Sequence, residues 1–203
     1  MTNFADDNTP YSIEDNMDSL LVNLWKHTSI MNMWFKDNFF KMNPEKCNLL
    51  VANHPRNVSI ILDNEIIDSS NSVKLLGITI DKKVDFNEYV TKLCKKANQK
   101  LHALARNSNY MSKEKLGIIL KSFIESQFAY CPLVWMFCSR KLNNRINSIH
   151  ERALRLVYKE DVALTFKELL RKDNSFTIHH RNIKSLAIEM YKIENDISPS
   201  IMK

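Results

Sequence analysis

Residues 73–106 read VKLLGITIDKKVDFNEYVTKLCKKANQKLHALAR, and the pattern of the chain changes inside this stretch. Val73–Ile80 is rich in β-branched and apolar residues and is predicted as one strand. From Asp85 the period becomes helical. Phe86, Val90, Leu93, Ala97, Leu101 and Leu104 fall on one stripe, and Lys92, Lys95, Lys96, Lys100 and Arg106 are placed on the opposite face. The switch predicts an α+β chain. A small antiparallel β part occupies residues 1–84, and a predominantly helical module occupies residues 85–203.

Upstream, Phe4-Ala5-Asp6-Asp7 is predicted as the acidic turn of a hairpin whose second strand carries Tyr11 and Ile13. A helix of about five or six turns is expected from the acids after Ser12 to roughly Phe40. Asn43-Pro44 breaks it, and residues 47–51 read as a strand. Ser59–Leu62, a turn at Asp63-Asn64 and Glu65–Ile67 complete a β-rich patch. Downstream, helices are expected from Ser112, from Arg140 to Tyr158, over Phe166–Leu170 and over Ile178–Glu194. Phe128, Trp135 and Phe137 are assigned to the core.

The chain has 203 residues and a net charge of +6, distributed unevenly. Residues 1–80 hold six basic and ten acidic side chains, net −4; residues 81–203 hold twenty-three and thirteen, net +10. An acidic head on a basic body suits a cation at one end and a polyanion along the other. Only two glycines are present, Gly77 and Gly117, so a glycine-rich phosphate loop is excluded. Cys47, Cys94, Cys131 and Cys138 form no Cys-x-x-Cys pair and read as reduced intracellular thiols near the core. No apolar run approaches the length of a membrane span.

Taken in order, these segments resemble the C-terminal palm and thumb of a non-LTR, jockey-like retrotransposon reverse transcriptase. The residues that carry the resemblance are F-A-D-D at 4–7, Trp34-Phe35 with Asn43, Lys46 and Leu50, and the Leu-Gly strand at 73–81. Tyr130-Cys131-Pro132-Leu133-Val134-Trp135, His150–Arg155 and the stretch 169–181 extend it. The resemblance implies that Asp6 and Asp7 are catalytic Mg²⁺ ligands and that Lys46 lies near the nucleotide phosphates. It also implies that Leu76 and Gly77 belong to a primer grip. Gly77 equally suits a strand bulge, and Asp6-Asp7 a solvated turn.

The implied partner is an RNA/DNA template–primer duplex. It would be held by Lys92, Lys95, Lys96, Lys100 and Arg106, with Arg140, Arg145, Arg152 and Arg155 extending the path. The family's fingers and first palm carboxylate lie before the acidic turn. The sequence is therefore expected to represent a truncated, inactive piece that self-associates through an exposed palm edge. The rival readings are a non-enzymatic, basic nucleic-acid-binding module and a decayed element copy.

Overall fold

A computed structural model describes residues 2–4 and 7–198. The fold is α+β, and the chain divides at Val84/Asp85 into two compact units.

The first unit begins with strands β1 (Thr2–Phe4) and β2 (Asp7–Thr9), paired antiparallel with Phe4 opposite Asp7. Pro10, which has no N–H to donate, follows β2. Tyr11 and Ile13 therefore lie outside the strand predicted for them, and both are exposed. Helix α1 spans Met17–Asp37, shorter at both ends than expected. The Asn16 side chain caps it by accepting the Ser19 N–H at 2.8 Å. Phe39, with φ of 60°, ends the helical path.

Two hairpins follow. β3 (Ser59–Leu62) pairs with β4 (Glu65–Asp68) across Asp63-Asn64, both at positive φ. β5 (Ser72–Leu75) pairs with β6 (Ile78–Asp81), so the single strand predicted over Val73–Ile80 is in fact folded back on itself. Its turn is Leu76-Gly77, with φ of 45° and 86°. A two-residue turn with both φ values positive matches the twist of a hairpin. Residues 47–51 form no strand; Leu49 makes one isolated parallel bridge to Ser69. Leu24 of α1 packs with Leu49, Leu62 and Ile67 to form this unit's core.

The second unit is helical. Helix α2 spans Asn87–Asn107 and buries Val90, Leu93, Cys94, Ala97, Leu101 and Leu104. Helix α3 (Lys113–Ile119) runs on through a π-turn at Leu120–Ile124 and a 3₁₀ turn at Glu125–Phe128. The short helix α4 (Pro132–Trp135) buries Trp135, whose indole N–H donates to the Tyr130 carbonyl at 3.1 Å. Phe128 is buried against it, whereas Phe137 is exposed, contrary to the core assignment. Cys131 is exposed too; Cys94 alone of the four thiols is fully buried.

Helix α5 (Arg140–Val157) is capped by Ser139, and α6 (Phe166–Lys172) by a Thr165–Glu168 capping box. Helix α7 (Ile178–Glu194) is capped by Thr177. α5 is the centre of the unit, packing against α2, α3, α6 and α7. Among the described residues, no helix is long and apolar enough to cross a membrane.

Candidate nucleic-acid interface

α2 and α5 bring most of the predicted basic residues together. Two hydrogen bonds and one charge effect fix their relation. The Arg145 charge acts on the Cys94 thiol, whose pKa burial pushes up to about 11. Arg152 Nη1 donates to Asn98 Oδ1 at 3.1 Å. Lys159 Nζ, just beyond α5, donates to Asn109 Oδ1 at 2.8 Å. Residue numbers rise together along both helices, so α2 and α5 run in the same direction.

Side chains on a helix turn by about 100° per residue. Lys141, Arg145 and Arg152 therefore share one face of α5, and Arg152 places that face beside Asn98 of α2. Lys95, His102 and Arg106 lie on the same side of α2 as Asn98. Lys95, Arg106, Lys141, Arg145 and Arg152 are exposed. Among the described residues none of these five has a carboxylate within ion-pair distance. The result is a basic track that spans two parallel helices.

The other predicted cations stand apart from it. Lys92 pairs with Glu88 at 2.5 Å. Lys100 is not on the outer face, as the spacing suggested. It lies on the flank of α2, half-buried, with its ammonium 4.3 Å from the centre of the Phe123 ring. Lys96 is exposed on that same flank. Arg155 grips Glu151 with two nitrogens, at 2.6 and 3.1 Å, which neutralises much of its charge. Arg140, the first residue of α5, falls about a third of a turn off the face shared by Lys141, Arg145 and Arg152.

In the first unit, Lys46 is exposed at the end of a 3₁₀ turn, and Leu76 and Gly77 are exposed at the tip of their hairpin. Asp6 and the side chain of Asp7, the carboxylates expected to hold Mg²⁺, lie outside the described residues. Among those described, no three His, Cys, Asp or Glu side chains converge as a metal cage.

A buried ionic cluster, missed at the level of sequence, supports the track from beneath. Glu125 accepts from Arg181 Nη1 of α7 at 2.6 Å and lies 3.0 Å from His150 Nε2 of α5. Burial alone would push the Glu125 carboxyl up. The hydrogen bonds to His150 and Arg181, with the charges behind them, outweigh burial and hold it at about 2. His150 is also buried, and its ring meets Phe166 edge-on at 5.7 Å. Because Arg145 and Arg152 sit on the same helix as His150, this cluster helps to fix their helix relative to α7.

Compared with curated proteins, the chain is similar to "Probable RNA-directed DNA polymerase from transposon BS" of Drosophila melanogaster, 26% identical over 141 residues. The chain carries a region related to non-LTR retrotransposon reverse transcriptases. The matched stretch is 66% of this chain and 16% of the relative's length. No family model matches the chain, and no solved structure matches it.

Proposed function

We propose that the helical unit, residues 85–203, is the thumb-like, duplex-holding part of a transposon RNA-directed DNA polymerase, and that residues 1–84 belong to its palm. The observation that carries this reading is the track of Lys95, Arg106, Lys141, Arg145 and Arg152 along α2 and α5, with no ion-pair partner among the described residues. Cations in a row follow a phosphate backbone without reading its sequence. The relation to a transposon polymerase favours a template–primer duplex as the polyanion. In this reading the track binds and orients the duplex, Lys46 and the Leu76-Gly77 tip belong to the palm's approach to nucleotide and primer, and Asp6 and Asp7 correspond to Mg²⁺ ligands of the parent polymerase.

Fluorescence anisotropy with a labelled RNA/DNA hybrid at several salt concentrations tests the proposal. Arg145→Ala and Arg152→Ala are each expected to lower the salt slope by about 1, one phosphate contact apiece. Lys92→Ala and Arg155→Ala are expected to change it much less, because intrahelical carboxylates already engage both cations. Absence of binding at low salt would sink the proposal.

A further inference from the structure

In the first unit, α1 presents a second stripe that the core does not use. Leu24 and Thr28 face inward, whereas Val22, Trp25 and Met33 are 64%, 57% and 65% exposed on the other side. With Asp18, Ser29 and Lys36 they recur at positions 18, 22, 25, 29, 33 and 36, the three-and-four spacing of a helix-pairing seam. The seam is polar at its ends and of opposite sign there. Asp18 lies in the first turn of α1 and Lys36 in the last.

We propose that this stripe is an isologous contact between two copies of the chain, their α1 helices packed antiparallel. With a two-fold axis beside residues 27 and 28, one register satisfies the whole seam. Trp25 meets Ser29 of the second copy, a large side chain against a small one, and Val22 meets Met33. Asp18 meets Lys36, placing opposite charges at both ends. A parallel pair would set like charges together instead. Lys36 holds Asp63 at 2.6 Å yet stays 59% exposed, so its ammonium is open to a second carboxylate. Asp18 has no ion pair among the described residues. The self-association expected at a sheet edge thus acquires a helix face as its surface. The inference is independent of the basic track.

Sedimentation equilibrium of the full chain over a broad concentration range reads the association directly. The expected result is a species of twice the chain mass. Trp25→Ser should shift it to the monomer, and Trp25→Ser combined with Ser29→Trp, which exchanges the large and small partners, should bring the dimer back. A monomeric parent chain, an undiminished dimer in Trp25→Ser, or a double variant that stays monomeric would each overturn the proposal. If Trp25→Ser loses its helical circular-dichroism signal, Asp18→Lys carries the test, since it alters no buried side chain. A monomer then supports the contact and an intact dimer overturns it.

Discussion

Glu125 is the side chain on which the helical unit is most sensitive. Its carboxylate joins the segment after α3 to α5 and α7, and its removal leaves Arg181 and His150 without their shared partner. Glu125→Ala is expected to cost on the order of 3 kcal/mol in chemical denaturation, the lower part of the range for breaking a buried pair, because Arg181 is about one-third exposed. The pH dependence has a definite sign. The folded-state pKa of Glu125 is depressed from 4.5 to about 2, so its contribution is present above pH 4.5 and is lost as pH falls through that interval. Glu125→Gln should flatten the fall in melting temperature over this window. A second residue prediction concerns Leu76, whose φ of 45° is unfavourable for a side chain of its size. Leu76→Asn creates the Asn-Gly pair preferred in such turns, and a gain of about 0.5–1 kcal/mol is expected in thermal denaturation. Neither the positive φ of Leu76, which the sequence marked only for its resemblance to a primer grip, nor the buried partners of Glu125 were legible in the sequence. Leu76 sits between apolar neighbours that suit one strand as well as two hairpin arms, and Glu125 is a lone acid whose partners lie far away along the chain.

At the scale of elements, periodicity did most of the work. α7 spans the residues its spacing predicted, and α5 differs only at its last residue, because each has a Ser or Thr cap and a sustained apolar stripe. The strand assignments fared worse. The run at 47–51 is apolar enough for a strand, but it found no ladder partner along its length. The basic faces were read residue by residue from single helices, which could not reveal that Arg152 meets Asn98 or that Lys100 turns toward Phe123. The π-turn at Leu120–Ile124 was equally hidden, since it widens a single turn and leaves the residue pattern nearly unchanged. A capped element offers a direct test. Thr165→Ala removes the hydroxyl that accepts the Glu168 N–H and donates to the Glu168 carboxylate, leaves the bond from the Thr165 N–H in place, and should destabilise the fold by about 1 kcal/mol, measured by urea denaturation.

Over the whole molecule, the division of charge read from composition falls on two compact units, one acidic and one basic. A polyanion engaging four or five cations of the track should show log affinity falling with log salt at a slope of about −4, near −0.9 for each phosphate neutralised. A much shallower slope would mean that the duplex is held elsewhere. The common direction of α2 and α5 has an electrostatic result of its own. Side by side in the same sense, their peptide dipoles reinforce each other, leaving both positive poles at one end of the pair and both negative poles at the other. Arg106 and Lys159 sit near the negative end and partly offset it. A polyanion laid along these helices would therefore meet a graded field rather than a uniform one, more favourable at the end where both helices begin.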